Sequence, residues 1–223
     1  MEEDLGARVA RQFPALYLTL VSVLVGLVLS DLFSTIHARV VLWPLTLETG
    51  RTWFQIFGTV LAVLSSWVAY SHLGLLRNRL PTIWDTIDAA LVLVTIPLNA
   101  EVGLHDSTAW FFWAGAFSLL GMLAIRINLW QGAREPGLRH LPRLGRFGGP
   151  FTVLWLGAPG YFAVAAACHY HLTTPLFELA AAATTAGGAT IVTILFMREW
   201  REAVLTASAA DAEAPLARRE AVV

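Results

Sequence analysis

The 223-residue sequence contains no lysine, and all 15 of its basic residues are arginine. A Schiff base to retinal or pyridoxal phosphate needs a lysine amine, so both cofactor classes are excluded, and no other cofactor is named by the residues. The single cysteine, Cys168, can close no internal disulfide and offers no thiolate pair to a metal, which leaves the redox compartment open. Charge is scarce as well. Only 14% of residues are charged, the net charge is −1, and the arginines sit beside apolar segments. That pattern speaks against nucleic acid as a partner and for the head groups of a lipid bilayer. No Gly-rich phosphate loop, H-E-x-x-H, G-x-S-x-G or EF-hand pattern is present, which argues against a soluble-type active site.

What the chain does have is apolar length. It is 57% hydrophobic with a mean hydropathy of +0.62, outside the range of ordinary soluble domains. Segments near 14–36, 52–73, 83–103, 108–129, 150–171 and 175–197 are each long enough to cross a hydrocarbon core of about 30 Å. All are expected to be helices, because a chain in lipid must satisfy its backbone hydrogen bonds internally. The expected fold is therefore all-α, a polytopic membrane protein of six transmembrane helices over 14–200. Residues 1–13 form an N-terminal segment, 131–149 a basic loop along the inner surface, and 201–223 a disordered tail.

Arginine placement sets the expected orientation. Arg8, Arg11, Arg77, Arg79, Arg134, Arg139, Arg143, Arg146, Arg198 and Arg201 fall on one side of this arrangement, against only Arg39 and Arg51 on the other. By the positive-inside rule both termini are cytoplasmic, in a multi-pass protein of the cell membrane, with the bacterial plasma membrane the expected location. Trp43, Trp53, Trp84, Trp110, Trp130 and Trp200 lie near the expected helix ends, where interfacial anchors belong.

Helix three, "IWDTIDAALVLVTIPLN", carries Asp85, Asp88, Thr95 and Asn99 within about a quarter of its circumference. Gln55, Thr59 and Ser66 make a similar face on helix two, and Thr19, Ser22, Gly26, Ser30 and His37 on helix one. Small and hydroxyl residues of this kind serve close interhelical packing. The functional alternative is a hydrated route between helices one, two and three, with Asp85, Asp88 and His72 at its inner mouth and Asp31 near its outer end. Asp85 and Asp88 also fit a simpler role, as first-turn acids favouring the helix dipole behind a Thr82 cap.

A second constellation, His37, Glu101, His105, Asp106, His169, His171 and Glu178 with Asp31, maps to the outer third. It reads as a wet rim, a pH sensor or a site for zinc or a similar divalent ion. Asp31 and Glu178 are expected to be its least exposed members. Pro97 and Pro159 free the carbonyls of Leu93 and Trp155, and Ala183 and Gly187 mark helix six for close packing at a subunit contact.

The stretch "SVLVGLVLSDLFSTIHARV" resembles the first helix of an uncharacterised group of bacterial multispanning membrane proteins. "LSDLF", with "SWVAYSHLGLL" and "IWDTIDAALVLVTIPLN", is similar to prokaryotic six-helix potassium channels related to the lysosomal one. Those channels carry an R-x-x-x-F-S-D signature early in helix one. Here Val25 stands where the arginine would be, and Ser30 and Asp31 fall late in the helix. The resemblance implies cation conduction by an oligomer. The expected function is movement of a small cation or proton along helices one to three, in a homo-oligomer. The alternatives are a membrane component that binds a partner or senses, and an intramembrane enzyme acting on lipid.

Overall fold

The computed structural model describes residues 5–39, 43–76, 83–104, 106–132 and 150–220. These form six helices and, among the described residues, no strand: α1 (Leu5–Arg39), α2 (Leu47–Leu76), α3 (Ile83–Gly103), α4 (Ser107–Gly132), α5 (Pro150–His169) and α6 (Pro175–Glu220). Five helices contain stretches long and apolar enough to cross a membrane: Ala15–Ala38, Leu47–Ser71, Ser107–Ile127, Pro150–His169 and Pro175–Glu202. The sixth, α3, is apolar over Ala90–Gly103.

Local chemistry explains the starts. Thr46 and Thr49 cap α2 reciprocally, each backbone N–H donating to the other's hydroxyl at 2.7 and 3.2 Å. Asp106 caps α4 by accepting from the Thr108 N–H at 2.8 Å. Thr174 precedes Pro175 at the first position of α6 and accepts from Phe177 N–H at 3.3 Å. Helix α6 runs on to Glu220, through the segment expected as a disordered tail. That segment is rich in Ala, Glu, Leu and Arg, all strong helix formers, and continues a helix already nucleated.

Helix α2 packs most extensively on α6, and α4 on α5 and α3; α5 meets α6 and α3 meets α2, so α2 to α6 close a ring. Helix α1 lies outside it, against α2 and α3. Val21, Val25, Val28 and Leu32 are its buried face, packed with Val63, Val92, Ile96, Ile56 and Leu104. Near the connections α3–α4 and α5–α6 the core is Trp110, Phe111, Ala165, Cys168 and Ala182. Toward the opposite end it is Val68, Ile125, Val192 and Phe196.

The polar side of α1 therefore points away from the ring. Thr19, Ser22, Ser30, Asp31 and His37 are exposed, and a Cβ built at Gly26 would meet nothing within 4 Å. This departs from a route shared by helices one, two and three. The hydroxyls lose little by it: Thr19 donates to the Ala15 carbonyl at 2.9 Å, Ser34 to Ser30 at 2.8 Å, and Ser22 accepts from Trp67 Nε1 at 3.1 Å.

Candidate functional site

A cavity of about 110 Å³ lies inside the ring, walled by α2, α3, α4, α5 and α6 and by no described residue of α1. Its lining on α2 runs from Gly58 to Tyr70, about 18 Å at a rise of roughly 1.5 Å per residue, so the space is long and narrow. Thr59, Ser66, Thr95 and Asn99 line it, so the polar faces of α2 and α3 do meet there. Small residues make the room: Gly58, Ala62, Ala114, Gly121, Gly188 and Ala189 stand where larger side chains would fill it. Among the described residues no charged side chain lines it, and its walls are largely apolar.

The serine and threonine hydroxyls in the wall are committed to backbone. Thr59 donates to the Gln55 carbonyl at 2.8 Å, Ser66 to Ala62 at 2.9 Å, Thr95 to Val92 at 2.7 Å, and Ser118 to Ala114 at 2.9 Å. Ser65 and Thr193 join α2 to α6 at 2.6 Å. Two amides stand apart from this economy. Gln55 is 0% exposed and neither its Oε1 nor its Nε2 has a partner among the described residues; Oδ1 of Asn99, at 8% exposure, likewise has none.

Trp110 was expected among the interfacial anchors, yet it is 1% exposed and its Nε1–H points at the Thr59 hydroxyl, 3.4 Å away. It sits one turn into α4 on the face turned toward the ring, where Gly103 lets it approach α3. A Cβ on Gly103 would lie 2.6 Å from Asn99 Oδ1 and 2.8 Å from Trp110 Cα.

Beyond this end of the cavity, Glu178 is a junction. Its Oε2 accepts from Arg51 Nη1 at 2.5 Å and from Ser107 Oγ at 2.7 Å, and its Oε1 from Thr173 at 2.8 Å. Arg51 and Glu178 are 19% and 16% exposed, so the pair ties the ends of α2, α4 and α6 in a partly dry setting. The arrangement is a clamp, and every proton on the Glu178 side comes from a protein donor.

The other members of the outer constellation do not join it. Asp31, His37, Glu101, Asp106, His169 and His171 are exposed, which for Asp31 reverses the expected burial. Among the described residues no three His, Cys, Asp or Glu side chains form a group able to hold a metal ion. His171 has a backbone role instead. It adopts φ 55° at the end of α5, where its N–H donates to Cys168 O at 3.0 Å and Leu172 N–H to Ala167 O at 2.9 Å. That paired geometry is a Schellman helix end. His105 and the Thr82 cap lie outside the described residues, as do the side chains of Asp85, Asp88 and His72.

The apolar helices and their ring packing define an integral membrane protein, all-helical and multi-pass. No protein-family model, no curated protein and no solved structure matches the chain.

Proposed function

We propose that the protein binds, within the membrane, an uncharged lipid-soluble molecule with one slender apolar chain, held in the cavity between α2 and α6. The observation that carries this is the lining: long, narrow, largely apolar and, among the described residues, without a charged side chain. A desolvated cation requires carboxylates or a ring of free carbonyls, and among the described residues no carboxylate lines this space. The space extends about 18 Å along α2 at only about 110 Å³, which admits one thin chain and no two-chain lipid.

The test is thermal unfolding of the purified protein, in a detergent without a single alkyl chain, against increasing 1-dodecanol. Saturable stabilisation is expected, about 2.7 kcal/mol at a hundredfold excess over Kd. Ala189→Phe, which fills the lining, abolishes it. Stabilisation that never saturates, or that survives Ala189→Phe, counts against the proposal.

A second reading, passage of a small cation or proton, is favoured by the unpartnered amides of Gln55 and Asn99, which a file of water would satisfy. The likeness to potassium channels belongs with it, as do Asp85 and Asp88. Its test is liposome flux: the double variant Asp85→Asn, Asp88→Asn cuts flux while leaving unfolding unchanged if those carboxylates attract cations.

A further inference from the structure

We infer that Asn99, with Thr59 and Trp110, holds an uncharged hydrogen-bonding head group, a hydroxyl or a carbonyl, of the molecule in the cavity, whose chain then runs toward Val153 and Phe196. The inference rests on the binding reading above and adds the identity and direction of the ligand's polar end.

The two ends of the cavity differ. At one, Asn99 presents an amide whose Oδ1 has no partner among the described residues although the residue is 8% exposed. A carboxamide offers two donors and two lone pairs, and leaving its oxygen unmet in an apolar setting is unfavourable. Beside it, the Thr59 hydroxyl gives its proton to the Gln55 carbonyl, which leaves its oxygen free to accept. The Trp110 Nε1–H reaches that oxygen only at 3.4 Å, a long contact that a better acceptor would replace. Asn99, Thr59 and Trp110 all line the cavity, and Trp110 links the other two: its Nε1–H points at Thr59, and its Cα lies, like Asn99 Oδ1, against Gly103. At the other end Val153, Leu154, Val192 and Phe196 offer hydrocarbon, and Tyr70, which lines that end too, already has an interaction of its own. Among the described residues of the lining a phosphate or ammonium head would meet no counter-charge and would retain its desolvation cost, whereas a neutral head meets complementary partners.

Brominated chains test the direction, since bromine quenches tryptophan fluorescence on contact. The probes are 2-bromododecan-1-ol, 12-bromododecan-1-ol and headless 1-bromododecane, titrated into the full chain in the same detergent. The fluorescence due to Trp110 is obtained by subtracting that of Trp110→Phe. Saturable quenching of the Trp110 component by the 2-bromo alcohol and not by the 12-bromo alcohol is the expected result. Asn99→Leu supplies a second, independent readout in the unfolding titration: it weakens the alcohols about tenfold and leaves 1-bromododecane unchanged. The opposite quenching pattern, or equal loss of alcohol and headless chain in Asn99→Leu, overturns the head-group assignment while the binding reading stands. If none of the three probes binds saturably, both fall together.

Discussion

Removing the charge of Glu178 while keeping its shape tests whether the clamp at the ends of α2, α4 and α6 contributes to stability. Glu178→Gln retains one acceptor oxygen. If that oxygen faces Arg51 and Ser107, the new amide turns toward Thr173, whose hydroxyl must then accept rather than donate; the other orientation sets N–H against N–H at Arg51. The first arrangement survives. Arg51 then keeps a neutral acceptor in place of a carboxylate, and charge-assisted bonds exceed neutral ones by about 1–2 kcal/mol. An independent bracket comes from burial. Fully exposed pairs contribute about 0–1 kcal/mol and breaking fully buried ones costs about 3–5 kcal/mol, and at 19% and 16% exposure this pair falls between. The expected loss is about 2 kcal/mol for Glu178→Gln and about 3 kcal/mol for Glu178→Ala. Reversible unfolding in mixed micelles of SDS and a mild detergent measures it. The double variant Arg51→Met, Glu178→Gln should recover part of the loss, because it removes the uncompensated guanidinium. Single losses under about 0.5 kcal/mol without coupling to Arg51 would mean that water screens the pair, and the account of the clamp would be wrong.

Four further outcomes follow from the same geometry. In a Cys168→Ser background, single cysteines at 104 to 107 or 172 to 174 should react with an impermeant thiol reagent from outside the cell, and tags at either terminus only after permeabilisation; the reverse labelling defeats the arginine-based orientation. Gly103→Ala should cost about 1–3 kcal/mol in micelle unfolding, since its Cβ would lie 2.8 Å from the Trp110 backbone, and a neutral result would contradict that packing. His171→Gly should be neutral or stabilising and His171→Val destabilising by about 1 kcal/mol, because φ is 55° there; equal losses for both would point to a role for the imidazole. A double-mutant cycle on Ser65→Ala and Thr193→Val should give a coupling of about 0.6 kcal/mol, and additive effects would leave their 2.6 Å contact without energetic weight.

Helix content was legible because apolar length in lipid has one helical solution. The expected 83–103 coincides with α3, and the start at 150 with α5. The faces of α2 and α3 were legible too, through the spacing of Thr59 and Ser66 and of Thr95 and Asn99, which all reach the cavity. The pairing of Arg51 with Glu178 was not: the two residues are 127 apart in sequence, and no local pattern encodes which helix ends meet. The small residues of α4 and α6 that open the cavity were also hidden, since Ala114, Gly121 and Ala189 look the same in sequence whether they admit a neighbouring helix or leave space. One signal was available for Trp110. It follows the Asp106 cap by a single turn and lies beside Phe111, which is 0% exposed, so it begins a buried face rather than a rim.

The outward polar face of α1 shows why stripe arguments weaken in membranes. In water a hydroxyl stripe and an apolar stripe differ by the whole hydrophobic effect, and the apolar one turns inward. In lipid the surroundings are as apolar as the core, so a helix is held by van der Waals fit and by hydrogen bonds that would otherwise go unmade. Val21, Val25, Val28 and Leu32 supply the fit. The hydroxyls of Thr19 and Ser34 meet their bonds on their own helix and place no demand on a neighbour. Amides cannot do this so readily, because a carboxamide has more donors and acceptors than one backbone carbonyl can answer. Gln55 and Asn99 are therefore the polar residues whose burial carries information. Both lie on helices of the ring, and Asn99 faces the space where a ligand's partner groups are wanted. For a chain of this kind, buried Asn and Gln mark the interior site more sharply than any run of Ser and Thr.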